Sequence, residues 1–318
     1  KGRRAIKSYM DNGYIPLEDM VEEAFHTNEQ TSRTLEYAYD DYAVAQMAKA
    51  LHDSCQDATL RQKYLEDYND LMRRSENWRN VINPATGWAD GRYENGKWEN
   101  NEDLVHRKSY ITEGATCHYT WYVPQNPEGL FEVIRNSKPM DKREKQIEKT
   151  ERKMEKKGET PVRNEKVIAR LDKMFDNGWY WHGNEPCHQV AYLYDAAGAP
   201  EKTQERVHHI LQTEYNDTPG GLSGNDDAGQ MSAWYVFSSI GFYPVCPGTP
   251  YYYIGTPSFD KVTLNLENGR KFILSADGVS KDAFYIQKMS LNDKPFWGYK
   301  LSHKDILNGG KLKFQMKK

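Results

Sequence analysis

The residues best suited by type to do chemistry are carboxylates that stand beside glycines and aromatic rings. Asp226 and Asp227 close a loop that also holds Gly220, Gly221, Gly224 and Gly229. Glycine takes backbone angles closed to other residues and lets a ligand come near the chain. The apolar run Met231 to Tyr243 follows at once and reads as a buried helix behind the loop. A loop fixed by a packed element is a usual carrier of chemistry. Two acids there could supply the base of a sugar-cleaving enzyme. The same pattern also describes a plain glycine-rich turn whose acids complement a helix start.

A second cluster lies in Asn177 to Tyr194, NGWYWHGNEPCHQVAYLY. Trp181, His182, Asn184, Glu185 and His188 fall within eight residues. The oxygens of Asn184 and Glu185 suit a hard cation such as Ca²⁺. Two histidines could suggest zinc, but the HExxH helix spacing is not there. Alternatively, Asn184 and Glu185 are a cap and turn before a helix start at Pro186. A third candidate, Glu113, precedes Gly114 and the aromatic residues Tyr119, Trp121 and Tyr122. Apolar surroundings would raise its pKa, as a general acid near neutral pH requires. A helix-capping role for Glu113 explains its position equally well.

These candidates need elements to hold them. Thr31 to Leu51 has an apolar stripe through Leu35, Ala38, Tyr42, Ala45 and Ala48, and Thr31 or Ser32 can cap it. Leu60 to Trp78 repeats the pattern through Leu60, Tyr64, Tyr68 and Leu71, which predicts an antiparallel helical hairpin. Asp40 and Asp41 fall in mid-helix, where a solvated face explains one and a cleft role is open for the other. Asn83 to Asn101 is rich in turn signals and keeps Trp88, Tyr93 and Trp98. Lys138 to Lys157 alternates charge and reads as an exposed helix or solvated insertion without a site. Val167 to Phe175 is a short amphipathic helix. From Pro250 onward, short β-type runs are separated by turn signals such as Asn-Gly and Asp-Gly. The expected organisation is a helical region over 1–245 and a β segment over 246–318.

Composition narrows the function classes. The 318 residues suffice for a large core. Twenty-two tyrosines and eight tryptophans exceed what a core demands and suit a sugar cleft, where aromatic faces stack on pyranose rings. A net charge of −3 argues against a general nucleic-acid binder. The sequence has no apolar run long enough for a membrane span. Cys55, Cys117, Cys187 and Cys246 form no CxxC motif. The first residues lack the apolar core of a signal peptide and read as the tail of an earlier helix, as expected of a fragment.

Four segments together resemble glycoside hydrolase family 92. They are SRTLEYAYDDYAVAQMAKAL, the TEG…YTWYVP stretch around Glu113, GWYWHGNEPCHQVAYLY and GNDDAGQMSAWYVFSSIGFYPV. GNEP and GNDDxGQMSAWY are specific as a pair, and the resemblance covers nearly the whole chain. It implies a mainly α fold, part of an (α/α)₆ barrel followed by a small antiparallel β layer. It implies a calcium-dependent, inverting exo-α-mannosidase, α-1,2 in preference, that removes terminal mannose from glycans. Glu113 resembles the general acid. Asp226 and Asp227 resemble the base region, with Asp227 as the base. Asn184 and Glu185 resemble calcium and mannose contacts, while Trp181, His182 and His188 would line the pocket. A secreted, periplasmic or cell-surface setting is implied, with no nucleic-acid partner. The stretch after Glu113 departs from the family's EGNAWQY and reads EGATCHY, and the charged run at Lys138 to Lys157 is a second departure. A non-catalytic glycan-binding relative and another (α/α)₆ inverting glycosidase are the alternatives.

Overall fold

The computed structural model describes residues 2–24 and 28–318. They divide between two units, Lys1–Tyr180 and Trp181–Lys318.

In the first unit, α1 (Ile6–Asn12) precedes the long helix α2 (Gln30–Ser54), and α3 (Ala58–Arg74) packs back along α2. The predicted hairpin therefore forms. Asp57 caps α3 by accepting from the backbone N–H of Thr59 and Leu60, both at 2.9 Å. The cap of α2 differs from expectation. Glu29 occupies it in a left-handed conformation without a side-chain cap bond. Thr31 and Ser32 instead lie inside the first turn, where their hydroxyls are engaged elsewhere. Thr31 donates to the Asp90 carbonyl oxygen at 3.1 Å, and Ser32 shares a hydrogen bond with Thr112 at 2.8 Å. The stripe on α3 is only partly inward, since Leu71 is buried and Leu60 exposed.

Asp41 is structural. It is buried and receives Arg3 at 2.7 Å, the Tyr9 hydroxyl at 2.9 Å and Arg74 at 3.2 Å. Asp40 is half exposed beside Arg3. Ionised groups are seldom buried unless paired. Here the pairing ties α1 and the end of α3 to mid-α2.

The short hairpin β1 (Ile82–Asn83) and β2 (Trp88–Ala89) leads to α4 (Thr116–Tyr119) and α5 (Pro127–Asn136). The charged run becomes α6 (Lys142–Glu155), capped by Asp141 and packed on α7 (Glu165–Asp176). It is not simply a solvated face. Buried Glu144 pairs with buried Arg170 at 3.1 Å, and buried Lys166 reaches Glu148 at 2.9 Å and the Ser137 carbonyl oxygen at 2.5 Å. Removing one partner of such a pair would strand the other charge.

The second unit begins with 3-10 turns at Glu185–Cys187 and Val190–Tyr192, then α8 (Leu193–Ala196), α9 (Pro200–Thr213) and α10 (Gln230–Ile240). Helix α10 is not wholly buried: Met231 and Trp234 point inward, while Tyr235 and Val236 are exposed. The strands are β3 (Phe242–Tyr243), β4 (Tyr251–Ile254), β5 (Lys261–Asn265), β6 (Lys271–Asp277), β7 (Tyr285–Leu291), β8 (Lys294–Pro295) and β9 (Lys300–Ser302). After α11 (His303–Leu307), β10 (Gly310–Lys317) completes the layer.

Strands β3, β4 and β9 form one sheet, and β5, β6, β10, β7 and β8 form another in that order. Pairing is antiparallel except between β6 and β10, because the last strand inserts beside β6 in parallel. Period-two alternation turns Phe272 and Leu274 of β6 and Leu312 and Phe314 of β10 into one core with Phe242, Ile254 and Leu301.

Candidate active site

The second unit brings the GNEP and GNDD stretches together. Their junction is a backbone contact: a β-carbon on Gly183 would lie 2.7 Å from the Ser223 carbonyl oxygen, and one on Gly224 would meet the Gly183 backbone. Neither position has room for a side chain. Trp181, partly exposed, folds back over Gly183, with its indole nitrogen 2.5 Å from where such a β-carbon would sit.

The two acids beyond Gly224 are used differently. One carboxylate oxygen of Asp226 accepts from the Ser232 backbone N–H and hydroxyl, both at 2.9 Å, so this side chain anchors the start of α10. Asp227 is exposed and takes a left-handed backbone, φ 45°, followed by Ala228 at 57° and Gly229 at 99°. Non-glycine residues adopt this region at a cost, and such strain gathers at functional positions. The turn closes when the N–H of Gly229 donates to the Asp226 carbonyl oxygen at 3.1 Å.

Below the loop lies a buried set of rings. The His188 Nε2–H donates to the His182 carbonyl oxygen at 3.0 Å, which fixes the tautomer and leaves Nδ1 to accept from the Gln230 amide at 3.1 Å. The same Gln230 nitrogen donates to the Tyr243 hydroxyl at 3.0 Å, and the Trp234 indole donates to the His188 carbonyl oxygen at 2.9 Å. Burial lowers the pKa of His188 to about 4, against the opposing pull of the His182 carbonyl oxygen and the nearby Asp227 charge. His182, buried among His188, Tyr215 and Trp234, is lowered to about 2 by burial first and by His188 second. Both imidazoles are thus neutral near pH 7. Each is 1% exposed, so they brace the loop from beneath as neutral rings and do not line an open pocket as expected.

Asn184 is buried and adopts an extended backbone before the 3-10 turn, while Glu185 is exposed. Asn184 stands at the N-cap of this turn with Pro186 inside it, as the cap reading expects, although its side chain makes no cap bond. Asn184 and Glu185 offer oxygen donors of the kind a calcium ion takes, but among the described residues no three His, Cys, Asp or Glu side chains cluster as a metal site.

Glu113 belongs to the first unit. It also has a left-handed backbone, φ 49°. It does not cap a helix, since α4 begins at Thr116 with Ala115 in the cap position. Among the described residues of the first unit, the expected apolar enclosure is not seen. Glu113 is exposed, whereas Tyr119 and Trp121 are buried within the unit. The segment carrying it is braced from both sides. Thr112 N–H donates to the Ser32 hydroxyl at 3.0 Å, and Ala115 N–H donates to His118 Nδ1 at 3.1 Å. His118 Nε2–H donates in turn to the Trp179 carbonyl oxygen at 2.8 Å. Burial lowers the His118 pKa, so this ring is a neutral brace.

Comparison with known proteins decides the family. The glycosyl hydrolase family 92 catalytic domain matches residues 1–318. The chain belongs to glycosyl hydrolase family 92. Among solved structures, a family GH92 alpha-mannosidase from Bacteroides thetaiotaomicron is 36% identical with a TM-score of 0.79, covering 100% of this chain and 37% of that one. The family GH92 inverting mannosidase from the same bacterium is 32% identical with a TM-score of 0.78, over 98% of this chain and 39% of that one. An uncharacterized secreted glycosidase from Arthroderma benhamiae is 28% identical, and the chain spans 40% of its length. The fold is therefore the mainly α one expected of this family, part of an (α/α)₆ barrel followed by an antiparallel-rich β layer.

Sequence reading missed the supporting residues. Gln230 stands inside the family 92 stretch GNDDAGQMSAWY as a long polar side chain heading a mostly apolar helix. That position is a signal that its side chain has a buried task. Tyr215 and Tyr243 gave no comparable signal, because tyrosine is abundant throughout the chain.

Proposed function

We propose that this chain carries the acid and base of a calcium-dependent inverting exo-α-mannosidase, preferring α-1,2 linkages, which releases terminal mannose from glycans outside the cytoplasm. The observation that supports it most directly is the placing of Asp227. A strained turn, locked to the GNEP stretch through Gly224, carries this exposed carboxylate within electrostatic reach of the neutral His188. The family GH92 alpha-mannosidase from B. thetaiotaomicron is also known in complex with mannoimidazole.

In this reading Glu113 protonates the departing glycosidic oxygen, and Asp227 takes a proton from the attacking water. Inversion requires that water to fit between the two carboxyls, which sets them roughly 6.5–9.5 Å apart in such enzymes. Trp181 would line the sugar pocket, with His182 and His188 packed beneath the loop. Asn184 and Glu185 would hold calcium. When bound, the ion supplies positive charge that orients the mannose 2- and 3-hydroxyls.

A non-catalytic glycan-binding relative is the second reading, favoured by the EGATCHY departure beside Glu113. Mannose release from α-1,2-mannobiose by the full-length protein separates the two. Release that stops on chelation and returns with calcium alone supports the enzyme. Binding without release supports the second reading, and turnover indifferent to chelation removes the metal.

A further inference from the structure

We propose that Gln230 is a positioning residue for Asp227: its side chain pins the strained turn to the buried ring of His188 and so sets where the carboxylate stands. This role rests on the reading of Asp227 as the base.

The turn needs an anchor on its helix side. Asp227, Ala228 and Gly229 are three consecutive left-handed residues, two of them not glycine. Such a conformation persists only where the surroundings over-determine it. Asp227 and Ala228 are exposed, and a β-carbon on Gly229 would meet nothing within 4 Å. None of the three is held by a packed side chain. Gln230 comes next and is the first residue of α10. Its N–H donates to the Asp227 carbonyl oxygen at 3.3 Å, which couples the start of the helix to the backbone of the acid.

Hydrogen-bond polarity fixes the other end of Gln230. The His182 carbonyl oxygen can only accept, so it takes the single proton of the neutral His188 ring, at Nε2. Nδ1 is then an acceptor that needs a donor. The Gln230 amide nitrogen carries two hydrogens. One goes to Nδ1 at 3.1 Å and the other to the Tyr243 hydroxyl at 3.0 Å. Both partners are buried, so the side chain is held at two points on a rigid base. A second bridge runs beside it. The His182 Nε2–H donates to the Tyr215 hydroxyl at 2.6 Å, which donates to the Met231 carbonyl oxygen at 3.1 Å. That bridge and the bond from Asp226 to Ser232 hold α10 from Met231 onward, whereas Gln230 holds the joint between helix and turn.

The test is steady-state kinetics of the full-length protein on an activated aryl α-mannoside, which needs little help from Glu113 and so reports on the base. Gln230→Met keeps the length of the side chain and removes both donors. Its kcat should fall roughly tenfold or more, since a 1 Å displacement can cost about a hundredfold. KM should stay within twofold of the wild type. The same substitution made in Asp227→Asn should lower the residual turnover less than twofold, because residues that act through one group are not additive. An unchanged kcat in Gln230→Met overturns the proposal. So does a tenfold loss that persists in Asp227→Asn, which would place the effect of Gln230 elsewhere. Should Gln230→Met melt early, Tyr243→Phe removes one anchor and leaves residue 230 intact. It should lose less kcat than Gln230→Met, again only where Asp227 is present, and no loss at all overturns the proposal. Wild-type turnover in Asp227→Asn, or none in the wild type, removes the base reading and this role with it. An inactive Asp227→Asn beside a fully active Gln230→Met removes this role alone.

Discussion

Gly183 and Gly224 meet backbone to backbone: a β-carbon on Gly224 would lie 2.2 Å from the Gly183 carbonyl oxygen and 2.5 Å from its Cα. This contact joins the stretch that holds Asn184 and Glu185 to the loop that carries Asp226 and Asp227. Gly224→Ala must push the two segments apart. Because the obstacle is backbone rather than a flexible side chain, the loop has to move, at about 1–3 kcal/mol. A displacement of even 1 Å can cost roughly a hundredfold in rate. The expected result is a large loss of mannoside turnover with a modest fall in melting temperature. Turnover within twofold of wild type would show that the junction does not position the acids.

Glu113 offers a test that depends on the leaving group. A general acid contributes roughly 10²–10⁴-fold when the departing oxygen needs a proton. Glu113→Gln should therefore lose about that much on α-1,2-mannobiose. An aryl mannoside with an activated phenolate leaves without help and should be turned over almost normally. Equal losses on both substrates would take the acid role away from Glu113.

The acidic pair can be separated by what each side chain does. Asp226 spends one oxygen on Ser232, so Asp226→Ala removes the hydrogen bonds that anchor the start of α10, together worth about 1 kcal/mol. Melting should fall by roughly 2–4 °C. Asp227 makes no such anchor, and Asp227→Asn should leave melting unchanged while turnover drops about 10²–10⁴-fold. If the losses are interchanged, with Asp226→Ala silencing a stable protein, the base is Asp226.

Much of this was legible in the sequence, for reasons that local physics explains. The stripe from Leu35 to Ala48 predicts α2, and the alternation in β6 and β10 predicts strands, because both record which face each side chain must bury. The GNEP and GNDD motifs were legible as family 92 segments because glycine, amide and carboxylate seldom cluster in that order. What escaped was long-range. The sequence did not say which of Asp40 and Asp41 turns inward, because the partners of Asp41, Arg3 and Arg74, lie 38 and 33 residues away along the chain. Lys166 and Arg170 read as part of an amphipathic helix and its flank, yet both are buried by acids from the charged run. The parallel insertion of β10 beside β6 is a choice among sheet edges that alternation alone does not make. The Gly183 contact with Gly224 likewise follows from no local rule, since it exists only once both segments are in place.

Asp195 supplies a prediction about stability rather than catalysis. It is 2% exposed in α8, and neither of its carboxylate oxygens, nor the hydroxyl of neighbouring Thr203, reaches hydrogen-bonding geometry with a partner. Burial pushes its pKa well above the ordinary carboxylate range. The negative charge of Glu201 adds to the rise. The folded protein therefore keeps this proton at a pH where the unfolded chain, near the ordinary value of about 3.9, has lost it. Above that value the unfolded state binds fewer protons than the native state, so stability falls as pH rises toward the folded pKa. Each unit of elevation is worth about 1.4 kcal/mol. Asp195→Asn places a neutral side chain of the same shape there and removes the slope. Its melting temperature should exceed that of the wild type at pH 8, with the gap closing toward pH 4. Parallel melting curves across that range would mean that the wild-type carboxyl is already ionised in the fold, with a partner that compensates its burial.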